Sequence, residues 1–290
     1  NYQNTADPFF PVLIPSTRKK GTFIWCLADT HGYMFGISTF CLHDEPLSSA
    51  IETLAPLTTH IEVMDEGLHF LRSAELLENY SCQFSIHSPC RGTNIASLLE
   101  PIRRASVEVM AQCFAIAAEV DAGVIIHPGY FAWAQERDRA IRQLQQSLAE
   151  LTRLAKEHSI PYYIENMGNW DYFLLKQPSE LSIIGDAGFA LDVGHAHLNH
   201  CLTDFLAHPA DHYHLHDNDG KVDTHLALGD GSIDLPAVIR AVKASGVVPV
   251  IEVETFDRVA PSIRRLDDGA HYPFSGDRTH YGLENIFTSF

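Results

Sequence analysis

Eight short runs of mostly apolar residues alternate along the chain with longer amphipathic stretches, and this alternation constrains the fold more than any other sequence feature. The runs are Phe35–Phe40, His60–Met64, Cys82–Ile86, Gly123–Ile126, Pro161–Ile164, Phe189–Leu191, His212–Leu215 and Val247–Ile251. Helical patterns such as 94–120, 136–158 and 235–245 lie between them. Such alternation is typical of βα units around a parallel sheet. Eight units in about 250 residues predict a single-domain α/β protein, a (β/α)8 TIM barrel with its active site at the C-terminal strand ends.

An open, doubly wound sheet is the alternative arrangement. No GxGxxG or GxxxxGK[ST] motif follows any of the runs, so the usual nucleotide fingerprints of that fold are missing. We expect the barrel to span residues 34–266. Residues 1–33 have no βα pattern and are predicted to form an N-terminal extension outside it. Pro261 is expected to interrupt the last helix, and residues 267–290, which lack a helical period, are predicted to be a C-terminal tail.

The charge balance limits the partners of the protein. The chain has 37 acidic and 20 basic side chains and a formal net charge of −17, which opposes non-specific binding to nucleic acid or to an anionic membrane. No apolar segment approaches bilayer-spanning length, so we expect no membrane partner. The six cysteines show no CxxC pair, as expected for free thiols in a reducing compartment. We therefore expect a cytoplasmic protein.

Six consecutive predicted strands end in a residue type that can bind a metal ion. In order, these residues are His87, His127, Glu165, Asp192, His214 and Glu252. A lone histidine at a strand end is more often structural than a ligand. Strand ends of a barrel converge on one mouth, however, so six in series predict a metal site there. His195, Asp223 and His225 occur in the same loops and are further candidate ligands.

Two assignments remain open from the sequence. Glu252 and Glu254 have the same strand parity, so either could face the metal, and Glu252 is preferred because it directly follows the apolar run. His212, His214 and His216 likewise share one face, and the two outer ones are expected to support the site or the fold rather than to bind metal.

These motifs together resemble the superfamily of endonuclease IV and xylose isomerase-like barrels. The matching segments are Ile86–Pro89, Ile126–Gly129, Ile164–Asn166, Leu191–His195, His214–Asp217, Val222–His225 and the glycine turn Leu228–Gly231. The resemblance covers most of the chain, from about Met34 to Thr255. It implies the TIM barrel fold and a divalent-metal enzyme.

The resemblance to endonuclease IV implies two or three zinc ions and hydrolysis of a phosphoester. His87, His127 and Glu165 would bind the first ion, and Glu165 would bridge to a second ion that Asp192, His214 and Glu252 also bind. The third ion would be bound by His195, Asp223 and His225. Four carboxylates against three divalent ions leave a positive site, which suits an anionic substrate. Ions at such a site activate water for attack on phosphorus.

Resemblance to the sugar isomerases and epimerases of the same superfamily implies a different enzyme class. There, Glu165, Asp192, His214 and Glu252 would bind a single Mn²⁺, Co²⁺ or Mg²⁺ ion. Glu165 and Glu252 would be the catalytic residues that move a proton at carbon, and His195 would contact the sugar or sugar phosphate. This alternative leaves the other candidate ligands unexplained. A metal-binding scaffold without catalysis is a third possibility, and it would require closed coordination.

Aromatic and basic residues near the predicted mouth are candidates for substrate binding. Tyr130, Trp133 and Trp170 could stack on a base or a sugar ring, and Arg91 and Lys221 are nearby cations. Abasic DNA is a doubtful substrate, because the net charge is strongly negative and the loop Ser88–Gly92 lacks the bulky wedge residue of endonuclease IV. We therefore expect a small phosphoester or sugar substrate.

Overall fold

A computed structural model describes residues 34–270 of the chain, and it shows a closed barrel of eight parallel strands. The strands follow one another in sequence order, and β8 pairs with β1 to close the barrel. They are β1 (Gly36–Ser38), β2 (His60–Met64), β3 (Gln83–His87), β4 (Gly123–Ile126), β5 (Tyr162–Glu165), β6 (Gly188–Asp192), β7 (His212–Leu215) and β8 (Val250–Ile251). The predicted (β/α)8 architecture is confirmed.

Helices connect the strands. They are α1 (Leu47–Leu54), α2 (Glu100–Glu119), α3 (Arg137–His158), α4 (Val193–Leu198), α5 (Leu202–Phe205), α6 (Leu235–Ser245) and α7 (Val259–Ala270). Short 3₁₀ turns occur at Thr39–Leu42, Gly67–His69, Leu77–Asn79, Ala134–Glu136, Pro178–Ile184 and Phe256–Arg258. None of the helices within residues 34–270 combines the length and the apolar character needed to cross a bilayer.

Local signals explain where the helices begin and end. Helix α2 starts at Glu100 rather than at residue 94, because Pro101 suits the first turn and the Asn94 side chain holds a loop by accepting from the Ala96 N–H at 3.0 Å. Helix α3 ends where Ser159 adopts a left-handed conformation. In α6 the Asp234 side chain caps the N-terminus, and Gly246 with φ of 71° ends the helix.

The last helix differs from the sequence-based expectation. Helix α7 runs from Val259 to Ala270 and contains Pro261 in its first turn. Backbone N–H groups in a first turn have no helical acceptor, so the missing N–H of a proline costs little there. The expected interruption at Pro261 is therefore wrong, and the expected barrel limit at 266 falls inside this helix. The proposed extension 1–33 and the tail beyond residue 270 lie outside the described residues.

The cysteines only partly match the expectation of free thiols. Cys41, Cys90, Cys113 and Cys201 are free, whereas Cys82 is disulfide-bonded. The expectation is therefore wrong at Cys82, and the cytoplasmic location stays a prediction.

The barrel interior below the mouth is polar. Glu62 of β2 pairs in register with Ser85 of β3, and both are buried. Buried His212 of β7 stacks on the ring of Tyr163 of β5, with the centroids 5.7 Å apart. The aliphatic core lies largely between the strands and the outer helices, where Phe114 of α2 packs its ring 5.6 Å from that of Tyr162 of β5. The interior is thus available for charged chemistry while the outer layer supplies the apolar burial.

We predict that Phe114→Ala destabilises the protein by about 3–5 kcal/mol, because it leaves a cavity beneath α2. Ile102→Ala on the same helix is the control, since Ile102 is 46% exposed and should change the free energy of unfolding by less than about 1 kcal/mol. Urea unfolding of both variants measures the difference. Equal losses would show that the helix layer does not depend on this contact.

Candidate metal centre

The strand ends bring the six predicted strand-end ligands together at one mouth of the barrel. Residues His87, Glu165 and Asp192 end β3, β5 and β6, His214 lies in β7, and His127 and Glu252 directly follow β4 and β8. Most of these side chains line or floor a cavity of about 660 Å³. Four groups of potential ligands occur in the described part of the chain, each with its ligand atoms within 4.8 Å of one another.

Glu165 lies at the centre of the site and contacts four histidines. Its Oε2 is 3.2 Å from His87 Nε2 and 3.0 Å from His127 Nε2. Its Oε1 is 3.3 Å from both His195 Nδ1 and His214 Nδ1. Burial by itself would raise the pKa of Glu165, but His127 and His214 hold it well below its usual range. The carboxylate is therefore charged and faces two ligand groups at once, as a bridging ligand would.

Besides the group that contains His87 and His127, a second group of potential ligands consists of Glu165, Asp192, His214 and Glu252, all buried. His214 Nδ1 lies 3.4 Å from Glu252 Oε2 and 3.9 Å from Asp192 Oδ2. Asp192 also caps helix α4, because its Oδ1 accepts the His195 backbone N–H at 2.6 Å. The same carboxylate thus orders the short helix that carries His195.

A third group forms around Asp223. Its Oδ2 is 3.1 Å from His195 Nε2 and 3.5 Å from His225 Nε2. His225 has a backbone φ of 39°, which is strained for a residue with a side chain, and Arg258 binds its carbonyl oxygen at 3.0 Å. Although burial opposes its protonated form, the hydrogen bond with Asp223 raises the pKa of His225 to about 9. A cation at this position would take the place of that proton.

The orientation of three histidine rings fits metal binding. Nδ1 of His87 lies 3.0 Å from the Ser88 carbonyl oxygen, Nδ1 of His195 lies 2.9 Å from that of Asn166, and Nδ1 of His225 lies 2.7 Å from that of Glu252. A carbonyl oxygen only accepts, so each Nδ1 carries a hydrogen and each Nε2 is left to face the site, where a metal ion would bind it in place of a proton. All three Nε2 atoms point at a carboxylate of the site. This arrangement is that of metal-binding histidines whose other nitrogen is fixed by a hydrogen bond.

His214 is turned the other way and rests on Glu62. Its Nε2 lies 2.8 Å from Glu62 Oε1, while Nδ1 faces the ligand group. The other oxygen of Glu62 is 2.9 Å from His212 Nε2 and accepts a hydrogen bond from Ser85 Oγ at 2.8 Å. Burial opposes the charge of Glu62, but His214 and His212 hold its pKa well below its usual range. Sequence reasoning missed Glu62, although a glutamate inside an apolar strand run is itself a signal.

Strand parity did not distinguish Glu252 from Glu254, or His214 from His212 and His216, but these residues occupy different places in the structure. Glu252 is buried at the mouth, whereas Glu254 is half exposed and binds Arg258 at 3.0 Å. His214 occupies the middle of the site, and His212 lies beneath it against Glu62. His216 joins the third group, where its Nε2 is 3.0 Å from Asp192 Oδ1 and its ring stacks on that of His225 at 3.8 Å.

The absence of a side chain at Gly194 leaves room for the ring of His216, which contacts Asp192. A Cβ atom on this residue would lie 2.0 Å from Cε1 of His216, a distance that no side chain permits. The Asn218 side chain binds the Gly194 carbonyl oxygen at 3.0 Å and fixes the approach. The glycine in the segment Asp192–His195 is therefore required by the packing of the site.

The predicted substrate-binding residues only partly meet at the cavity. Arg91, Tyr130 and Trp170 line it, and the two aromatic rings contact each other with centroids 5.7 Å apart. Trp133 and Lys221 are not among the lining residues, and their role in substrate binding stays a prediction. Trp133 is 68% exposed, and Lys221 pairs with Asp219 at 3.6 Å in solvent. Loop length explains this, because both residues lie beyond the first turn after their strands.

Cys90 and Glu66 are lining residues that sequence reasoning did not single out. Cys90 groups with His87 and His127, and its ligand atom lies within 4.8 Å of theirs. The spacing His87-x-x-Cys90 is the signal that could have found it. Burial, followed by the charge of Glu66, raises the pKa of the Cys90 thiol.

Comparisons with known proteins agree with this architecture. The chain is 31% identical over 229 residues to the uncharacterised protein MJ1614 of Methanocaldococcus jannaschii, which covers 76% of this chain and 91% of that protein. It is 30% identical over 191 residues to a protein of Mycobacterium bovis named "Probable endonuclease 4", covering 60% of this chain and 73% of the other.

A solved structure and a family model also match the barrel. The crystal structure of a D-tagatose 3-epimerase-like protein superposes with a TM-score of 0.76 at 28% identity, covering 82% of this chain and 97% of the other. The model of the xylose isomerase-like TIM barrel family matches residues 51–272. Because this match spans most of the chain and includes every candidate ligand, the protein belongs to the xylose isomerase-like TIM barrel family.

Proposed function

We propose that this protein is a metal-dependent phosphoester hydrolase with a site for two or three zinc ions. The observation that carries the proposal is the arrangement of three ligand groups around Glu165 and Asp192. A single-metal enzyme uses only the group of Glu165, Asp192, His214 and Glu252. A single-metal site gives no role to the Nε2 atoms of His87 and His225, which the Nδ1 contacts of the same rings hold facing the site.

Each part of the chain has a distinct task in this proposal. His87, His127 and Glu165 would bind the first ion, Asp192, His214 and Glu252 would share Glu165 in binding a second, and the Asp223 group would bind the third. Divalent ions at such a site polarise the phosphoryl group and activate water. Four ligand carboxylates against three divalent ions leave a positive charge at the mouth of a chain with a net charge of −17. The site therefore attracts an anion that the rest of the surface repels.

The cavity favours a small substrate over duplex DNA. Tyr130, Trp170 and Phe173 form an aromatic wall that suits a sugar or base ring. Among the described residues that line the cavity, Arg91 is the sole lysine or arginine, and Glu66 lies 3.6 Å from its Nε. A duplex needs several phosphate contacts along its backbone. We therefore propose a phosphoester on a sugar or nucleoside-like group as the substrate.

A second candidate function is epimerisation or isomerisation of a sugar or sugar phosphate with one Mn²⁺, Co²⁺ or Mg²⁺ ion. The observation in its favour is that the two candidate proton-transfer carboxylates, Glu165 and Glu252, both lie close to His214 Nδ1, at 3.3 Å and 3.4 Å. The similarity to the D-tagatose 3-epimerase-like structure also supports it. In this case His195 would contact the sugar.

Metal content and activity of two variants separate the candidates. We expect two to three zinc ions per chain in the native protein. His87→Ala and Asp223→Ala should each bind fewer ions and lose phosphodiesterase activity, because each variant removes one ligand of a different group. Mass spectrometry of gently purified protein counts zinc, manganese, cobalt and magnesium. One ion per chain with ketose epimerase activity that survives both substitutions would replace the hydrolase with the second candidate.

Glu62→Gln should weaken metal binding without unfolding the protein. The neutral amide no longer balances His214 and His212, and loss of such a partner typically lowers affinity about 10–100-fold. Competition with a chromogenic chelator measures the zinc affinity. Glu52→Gln, at an exposed position of α1, is the control and should leave the zinc affinity unchanged. An unaltered zinc affinity in Glu62→Gln would mean that the carboxylate occupies the barrel interior without contributing to metal binding.

Gly194→Ala should displace His216 and reduce the occupancy of the third group, because the added Cβ overlaps the imidazole ring. Gly92→Ala is the matched control, since a Cβ there meets nothing within 4 Å. Zinc content and circular dichroism of both variants give the comparison. Full zinc content in Gly194→Ala would show that the third group does not depend on the position of His216.

A further inference from the structure

We infer that the Cys90 thiolate is a ligand of the zinc ion bound by His87, His127 and Glu165. This inference rests on the proposed metal site and deepens it, because it adds a sulfur donor to the first ion. The geometry behind it is the position of the Cys90 ligand atom, within 4.8 Å of a nitrogen of each of the two histidines. Ligand atoms around one tetrahedral zinc ion lie within such distances of one another.

The partners of the two histidines show where the ion would lie. Glu165 Oε2 is 3.2 Å from His87 Nε2 and 3.0 Å from His127 Nε2, so the three donors already converge. His87 is 2% exposed, and its Nδ1 is used by the Ser88 carbonyl oxygen, which leaves Nε2 for the site. Cys90 lines the same cavity. It would complete a set of two nitrogens, one oxygen and one sulfur.

The backbone at Cys90 is held by a carboxylate from the loop that follows the neighbouring strand β2. Glu66 Oε1 accepts the N–H groups of both Cys90 and Arg91 at 2.6 Å. Thr93 Oγ1 donates to the Pro89 carbonyl oxygen at 2.6 Å and closes the same loop. Bonds to a charged acceptor are among the stronger ones in proteins. The side chain is therefore presented to the cavity by a fixed loop, as a pre-organised ligand is.

A thiolate changes which metal the first group accepts and what the ion does. Sulfur donors favour zinc and cobalt over magnesium and manganese. Four protein donors also close the tetrahedral coordination of zinc, which is the pattern of structural ions, whereas catalytic ions keep one position open. The first ion would then hold Glu165 in place, and substrate would meet the ions of the other groups. On coordination the thiol loses its proton to solvent.

X-ray absorption at the zinc edge tests this inference on the full chain. With zinc bound, we expect a zinc–sulfur distance of about 2.3 Å, absent in Cys90→Ser and retained in Cys201→Ser, a buried cysteine outside the ligand groups. Titration of zinc into weakly buffered apoprotein should release about one proton fewer in Cys90→Ser. Chelator competition should show a zinc affinity lower by about tenfold or more in Cys90→Ser.

The outcomes distinguish this inference from the proposed function. Two to three bound zinc ions with only nitrogen and oxygen neighbours would overturn the role of Cys90 and leave the hydrolase proposal standing. A sulfur neighbour that persists in Cys90→Ser would also overturn it. Failure of the native protein to bind zinc would overturn both. Thiol alkylation gives a second measurement: zinc should protect Cys90 from a maleimide, while magnesium should not.

Discussion

The carboxylate of Glu165 is the charge around which the rest of the site is arranged. It is 1% exposed at the end of β5, and a buried carboxylate is costly unless cations and hydrogen bonds compensate it. Four histidines from four other elements contact its two oxygens. Without metal, protons on His195 and His214 balance the charge, because neighbouring carboxylates raise the pKa of both rings well above the usual range although burial opposes it, and divalent ions would replace those protons. Removing Glu165 would therefore leave several cationic groups without a common partner.

A second buried carboxylate, Glu62, supports this arrangement from below. It holds His214 by Nε2 and so decides that Nδ1 faces the ligand groups. Ser85 and His60 extend the polar contacts further into the barrel, with His60 Nε2 3.0 Å from Ser85 Oγ. Most TIM barrels fill this volume with branched aliphatic side chains. Here polar side chains occupy that volume instead. They give up some apolar packing, but they fix the orientation of His214, which a metal site requires.

The fold was predictable because it depends on repeated local patterns. Strands β2, β4 and β7 and helix α6 begin and end at the predicted residues, and the strand-end ligands follow from the convergence of parallel strands at one mouth. The contacts that cross the barrel were less predictable, since nothing in sequence spacing shows that Glu62 lies under His214 or that Cys90 lies beside His127. The cavity lining was only partly predictable for a related reason: Trp133 and Lys221 are close to candidate ligands in sequence, but their side chains are largely exposed to solvent. Side-chain direction in a loop depends on its tertiary packing.

The division of labour between strands and loops explains how one family can host both hydrolases and epimerases. The residues that both candidate functions share, Glu165, Asp192, His214 and Glu252, lie at or within one residue of the ends of β5–β8, where the barrel itself positions them. The additional candidate ligands on the loop after β7 and the lining residues Cys90, Arg91 and Tyr130 lie on βα loops that can change without disturbing the barrel. Ligand number and substrate recognition can therefore vary independently. The described residues offer candidate ligands for several ions, and Arg91 is the sole lysine or arginine among those that line the cavity, which supports the proposal of polynuclear chemistry directed at a small substrate.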